Sequence, residues 1–343
     1  MSEQTRKMKI ISIIIVGVFL NNLGIIPTFR LQAQQISENN KIIKFDDTRK
    51  ANWDNEFNLV KIKSDVDQNV QKAYFYKSKS KREKPLIVSL HSWSGDYTQQ
   101  DSLAEFCRIN DINYIHPDFR GPNNTFQSCG SSLVVSDIND AIDFAIENAN
   151  VDTDKISIIG ASGGGYATLC CFMNLERKIY RFSAWVPITD LIAWHHQSTI
   201  RKNKYAKDIL DCIGKGIKGG LDEEEAKKRS PIFLPTPLSR VSQTKLFIYT
   251  GIYDGIQGSV PITHSINFYN KLLRDLSEKN FSKYVSDSEK LELLEFRKPI
   301  GEFGNIADRR VCLKKETKNI KLIVFEGGHE MLTKYAFQEI LND

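Results

Sequence analysis

One serine set among glycines offers the clearest chemistry in the chain. Residues 160–165 read Gly-Ala-Ser-Gly-Gly-Gly, which places Ser162 at the centre of a GxSxG pattern bounded by Gly160 and Gly164. That pattern recurs by chance, and its setting is what makes it specific. A β-branched run at 155–159 leads straight into it, and an apolar stretch with helical spacing at 166–175 leads straight out. A strand, a sharp turn and a helix in that order lift a serine hydroxyl clear of the backbone as a nucleophile. Side chains at 160, 164 and 165 would strike neighbouring backbone, which accounts for three glycines there. A helix opening just after Ser162 would aim its free N–H groups, Gly163 first, at negative charge developing on a substrate oxygen.

A serine hydroxyl needs a base, and the chain has six histidines: His91, His116, His195, His196, His264 and His329. His116 ends a strand upstream of the turn, and His264 opens a helix. His195 and His196 are adjacent, so their rings point apart and make a poor metal pair. His329, in Gly-Gly-His-Glu directly after the last apolar run, can be carried over the sheet edge by its loop. The orienting acid is assigned to Asp254, which follows the run at 245–249. Asp190, after the preceding strand, is the alternative acid, or else the cap of the helix that follows it. The order Ser162, Asp254, His329 is that of a strand-borne nucleophile-elbow triad. A second oxyanion donor is expected from the loop His91-Ser92-Trp93-Ser94-Gly95-Asp96, with Trp93 N–H assigned and Ser92 N–H the neighbouring alternative.

The elements that must position these groups read as strands at 57–62, 72–76, 85–90, 113–117, 155–159, 181–186, 245–249 and 321–325. Helical spacing is clearest at 135–148, where Ile138, Ala141, Ile142, Ala145 and Ile146 share a face, and it recurs at 166–175 and 262–276. Strands alternating with helices predict an α/β architecture: a mostly parallel, eight-stranded sheet flanked by helices. Two stretches exceed a simple alternation. Residues 190–242 read as a helical insertion over the strand ends, and 277–319 as a long connection.

At 343 residues and 41% hydrophobic, the chain has room for one large α/β domain. A net charge of +5 is spread along it without the long basic run of a nucleic-acid tail, and the densest cluster, 77–84, reads as a hairpin loop. Arg6, Lys7 and Lys9 precede an apolar run at 10–20, and Ala33 follows. That is the layout of a signal peptide over 1–33, with 34–56 a lead-in and 57–343 the catalytic domain. The run falls short of the roughly 20 residues a spanning helix needs, so a secreted or periplasmic protein without a stable membrane anchor is expected. The six cysteines, at 107, 129, 170, 171, 212 and 312, show no metal-ligand spacing and read mainly as buried thiols.

The segments at 114–121, 160–165, 254–261 and 327–330 resemble the α/β-hydrolase superfamily, and within it the prolyl oligopeptidase catalytic domain and related carbohydrate esterases. The resemblance implies an α/β-hydrolase fold and acyl-enzyme chemistry that calls for no cofactor or metal. There are two departures: His-Ser at 91–92 where the family has His-Gly, and too few residues ahead of Phe57 for the propeller of the oligopeptidases. The expectation is therefore an exported carboxylester hydrolase acting on an ester-bearing substrate, a polysaccharide in the leading reading. Trp93 and Trp194 would stack on sugar rings, and Arg309 with Arg310 would bind a uronate carboxylate or form a solvated surface pair. The alternative is a serine peptidase of the prolyl oligopeptidase type lacking a propeller. A protein that keeps the fold without turnover is the third reading.

Overall fold

Apolar runs of strand character become the centre of a ten-stranded sheet in the computed structural model, which describes residues 53–217 and 219–342. The signal segment expected at 1–33 lies outside the described residues, as does most of the 34–56 lead-in. In chain order the strands are β1 Asn58–Lys63, β2 Val70–Tyr76, β3 Lys84–Leu90, β4 Asn113–Pro117, β5 Val151–Ala161, β6 Arg181–Trp185, β7 Lys245–Gly251, β8 Asn305–Ile306, β9 Arg309–Glu316 and β10 Ile320–Phe325. They lie side by side as β1-β2-β4-β3-β5-β6-β7-β10-β9-β8. From β4 to β10 every neighbouring pair is parallel, and the antiparallel pairs are confined to the two margins.

The expected mostly parallel α/β-hydrolase sheet is present, with a correction to its strand count. The connection at 277–319 contains the hairpin β8–β9, which extends the sheet beyond β10. Its apolar signal is diluted by Arg309, Arg310, Lys314 and Lys315, the kind of charged residue found in strands at the margin of a sheet.

Helices cover both faces. Ser132–Asn148, Gly163–Asn174 and Thr263–Asp275 pack through Ile138, Ile142, Leu169, Phe172, Ile266 and Leu272 on the side to which β5 turns Ile156 and Ile158. Ser102–Ile109 and Thr333–Leu341 pack through Leu103, Cys107, Phe337 and Ile340 on the opposite side, to which β5 turns Ile159 and Ala161. The period-two alternation along β5 thus feeds two cores at once. The insertion at 190–242 is helical, as expected, with helices Leu191–Ile200, Tyr205–Ile213, Glu223–Lys228 and Leu238–Gln243. It has a core of its own, in which Trp194, Ile209, Cys212 and Ala226 close over Trp93 and Tyr166. All six cysteines are buried free thiols. No helix of the described residues is long and apolar enough to cross a membrane.

Because β3, β5, β7 and β10 run parallel, their C-terminal ends share one edge. The loops leaving them carry 91–96, Ser162, Asp254 and His329.

Candidate active site

Ser162 sits at φ 57° and ψ −120°, a conformation that costs a non-glycine residue about 1–3 kcal/mol. It is held from both sides. Its N–H donates to Trp185 O of the neighbouring β6 at 2.9 Å, and its carbonyl accepts from Tyr166 N at 2.9 Å as the helix Gly163–Asn174 begins. The turn is so tight that a Cβ on Gly160 would lie 2.4 Å from the carbonyl carbon of Gly164. This is the strained elbow the glycine spacing predicts.

Asp254 is fully buried, and its carboxylate is engaged at both oxygens. Oδ2 faces His329 Nδ1 at 2.7 Å, while Oδ1 accepts the N–H groups of Gly255 and Val260 at 2.8 and 3.1 Å. A carboxylate in that position holds the proton on Nδ1 and leaves Nε2 as the basic nitrogen. The His329 loop is braced by Glu330, whose Oε1 accepts Gly328 N at 3.0 Å and whose Oε2 lies 3.6 Å from Arg309 Nη2. The structure therefore sets Arg309 beside the base loop with carboxylate neighbours of its own, Glu330 and Asp308. Arg310 forms a two-point pair with Glu326.

The oxyanion loop separates its two candidate donors. Ser92 N–H is taken by Gln99 Oε1 at 2.9 Å, and Ser92 Oγ donates to the same oxygen at 2.8 Å. Trp93 N instead faces the elbow, where a Cβ on Gly163 would lie 2.2 Å from it. The amides of Trp93 and Gly163 thus flank one small space above the strand ends, and Asn123 N holds Trp93 O from behind at 2.8 Å.

The two tryptophans need correction as sugar platforms. Trp93 and Trp194 are 1% and 0% exposed and pack edge to face at 4.7 Å. Trp194 also stacks on Tyr205 and donates from Nε1 to Ser259 O at 2.9 Å. Joining the insertion to the acid loop buries more apolar area than display to solvent would allow.

Asp190 caps Leu191–Ile200 by accepting Ala193 N at 2.9 Å, so the alternative acid is a helix cap. His264 accepts Thr189 N–H at Nδ1 and faces Gln197 with Nε2, and burial pushes its pKa down to about 3. Burial likewise lowers that of His116 to about 4. His195 and His196 line a depression with Asp190 and Glu223, away from the base. Among the described residues no cluster of His, Cys, Asp and Glu is placed to hold a metal ion.

Three supports had no sequence signal, because each acts across a fold-dependent distance. Gln99 clamps Ser92, Lys204 of the insertion donates to Ser94 Oγ, and Arg201 donates to the carbonyls of Gly255 and Ser259 in the acid loop.

The sequence pattern of the prolyl oligopeptidase family matches residues 106–289, which include Ser162 and Asp254. Among curated proteins, acylamino-acid-releasing enzyme 2 of Oryza sativa subsp. japonica is 21% identical over 71% of this chain and 32% of its own length. Acylamino-acid-releasing enzyme 1 of the same plant is 24% identical over 76% of this chain and 35% of its own. The chain spans about a third of the length of these relatives. Among solved structures, an acylaminoacyl peptidase in complex with Z-Gly-Gly-Phe-chloromethyl ketone superposes with a TM-score of 0.56 at 15% identity, covering 83% of this chain and 40% of the other. Pyrococcus horikoshii acylaminoacyl peptidase gives a TM-score of 0.52 at 16% identity, covering 64% and 35%. At such identities these structures share the fold.

Proposed function

This chain belongs to the prolyl oligopeptidase family, and from that premise we propose that it is a serine peptidase cleaving amide bonds in short, N-acylated peptides. That it is a serine hydrolase follows from the family. The finer reading is carried by one observation: the family match spans both the elbow serine and the buried aspartate that holds His329. The curated relatives, named for releasing acylamino acids, suggest the N-acylated class of substrate.

In this reading Ser162 Oγ attacks the scissile carbonyl while His329 Nε2 takes its proton. Asp254 keeps the ring in the required tautomer and stabilises the imidazolium. The N–H groups of Trp93 and Gly163 receive the negative oxygen. His329 then returns the proton to the leaving amine, and water, activated by the same nitrogen, releases the acyl group from Ser162. The carbohydrate-esterase reading loses its two candidate sugar platforms, Trp93 and Trp194, which lie in the core. An exported location remains part of the proposal, resting on residues 6–33 alone.

The test is a substrate panel of an N-acetyl-aminoacyl anilide, free alanyl and prolyl anilides, an aryl acetate and methyl-esterified pectin. The N-acetylated anilide should give the highest kcat/KM among the amides, and pectin should be inert. Turnover of pectin with no amide cleaved would overturn the peptidase reading. Failure on the whole panel with Ser162 unreactive would favour a fold kept without catalysis.

A further inference from the structure

Three of the buried thiols meet where the insertion closes over the oxyanion loop. Cys129, Cys170 and Cys212 are each at most 1% exposed and share one small core with Trp93, Tyr166 and Trp194. Cys129 belongs to the segment that backs the oxyanion loop. Its N–H donates to Asn123 Oδ1 at 2.8 Å, and Asn123 N–H in turn holds Trp93 O. Its carbonyl accepts the Tyr166 hydroxyl at 3.0 Å. Cys212 comes from the other side, on the insertion helix Tyr205–Ile213, whose capping residue Lys204 donates to Ser94 Oγ. Cys212 Sγ lies 3.9 Å from Ser128 Oγ and in hydrogen-bonding contact with the Cys129 thiol. Cys170 belongs to the helix Gly163–Asn174 and turns its sulfur to the Tyr166 hydroxyl instead.

The two touching thiols are far apart in the chain, and each is tied to a different grip on the oxyanion loop, Asn123 on Trp93 O and Lys204 on Ser94. We propose that Cys129 and Cys212 form a disulfide when the chain meets a disulfide-bearing oxidant, stapling the insertion to the segment behind the oxyanion loop. The inference rests on the exported location proposed above for its oxidant, since thiol pairs are oxidised outside the reducing cytosol. One cysteine thiolate attacks the oxidant's S–S bond and releases the first oxidant thiol. The other thiolate then attacks the mixed disulfide and releases the second. Two electrons and two protons pass to the oxidant, and one S–S bond is broken for the one that forms. Burial pushes the Cys129 thiol well above its ordinary pKa, so the exchange belongs to a folding chain or to one whose insertion has lifted. Closing so long a loop restricts the unfolded chain and thereby stabilises the folded one.

The full chain is made twice, once with its own N-terminus in a secreting host and once in a reducing cell-free extract. Part of the cell-free protein is treated with oxidised glutathione in mild denaturant. Each sample is then unfolded in acid, its free thiols are alkylated, and the unreduced peptides are mapped by mass spectrometry. Secreted and glutathione-treated protein should each carry one link, joining the peptides of Cys129 and Cys212 with the loss of two hydrogens. Cys107, Cys170, Cys171 and Cys312 should be alkylated. Glutathione treatment should raise the melting temperature of the cell-free protein by about 5–10 °C. In Cys212→Ala it should form no link and leave the melting temperature unchanged, whereas a role in packing alone would give no response to glutathione in either protein. Free thiols at both positions in secreted protein, free thiols after glutathione, or a link through Cys170 would overturn the proposal. A chain that the host does not secrete, but that glutathione links through Cys129 and Cys212, would support the pairing and fault the export reading instead.

Discussion

Replacing Asp254 by Asn tests the acid through a feature peculiar to this site. Oδ1 accepts two backbone N–H groups, from Gly255 and Val260, while Oδ2 alone faces His329 Nδ1. In Asp254→Asn the amide oxygen stays on those two donors, so the NH2 group is turned on the ring. Nδ1 must then accept, the proton moves to Nε2, and the nitrogen that would take the serine proton can no longer act as a base. The opposite amide orientation would restore the tautomer but would set NH2 against two N–H donors. That loses two buried hydrogen bonds, at about 1–3 kcal/mol each. At 1.36 kcal/mol per factor of ten, the escape route is populated at about one part in 30 to one part in 3 × 10⁴. With that escape route as the floor and the tautomer effect in other triads near 10⁴ as the ceiling, kcat should fall by about 30-fold to 10⁴-fold. The assay is kcat on the best anilide beside a thermal melt showing the fold retained. Asp190→Asn is the control: asparagine also caps a helix, so kcat should stay within about twofold. A loss below tenfold in Asp254→Asn, or a larger one in Asp190→Asn, would refute the assignment.

Four further outcomes follow from the same geometry. Gly163→Ala would bring a Cβ within 2.2 Å of Trp93 N, so kcat should fall by about 10² or more as the oxyanion loop is pushed away, measurable on any turned-over substrate. Trp194→Ala should lower stability by about 3–5 kcal/mol in denaturant titration, whereas a surface sugar platform would show only a KM effect. His116 and His264 have folded pKa values depressed to about 4 and about 3, so the folded state excludes protons that the unfolded chain binds below about 6.5. Their contribution is complete above that pH and is lost on acidification, at up to about 1.4 kcal/mol per pH unit for each ring, and His264→Gln should show a smaller drop in Tm between pH 7 and 4.5 than wild type. Protein secreted by a native-like host should begin near Gln34 by mass spectrometry, and retention of 1–33 in a membrane fraction would contradict the signal-peptide proposal.

Residues adjacent in sequence to their structural cause were legible. Ser162 could be read because the strand, the glycines and the helix that strain it are contiguous, and the observed φ of 57° is that strain. Asp254 and His329 could be read because each directly follows an apolar strand of a parallel sheet, whose C-terminal ends share an edge by construction. The choice between Ser92 and Trp93 could not. It turns on Gln99, seven positions away, reaching back to Ser92 N. Trp194 was illegible for another reason, since an aromatic residue beside a pocket has the same letter whether it lines the pocket or packs behind it. The β8–β9 hairpin was missed because strand pairing with β10, rather than its own charged sequence, specifies it.

The central claim is that Ser162 is the nucleophile of a serine peptidase, and mapping of the covalent adduct tests it most directly. Protein treated with a fluorophosphonate, digested and sequenced by mass spectrometry should carry one adduct, on Ser162 in the peptide spanning 160–165. Labelling should vanish in Ser162→Ala and slow by orders of magnitude in His329→Ala, and Ser162→Ala should leave at most a residual catalysis of about 10³–10⁴ over water. An adduct elsewhere, or full amide turnover by Ser162→Ala, would contradict the account.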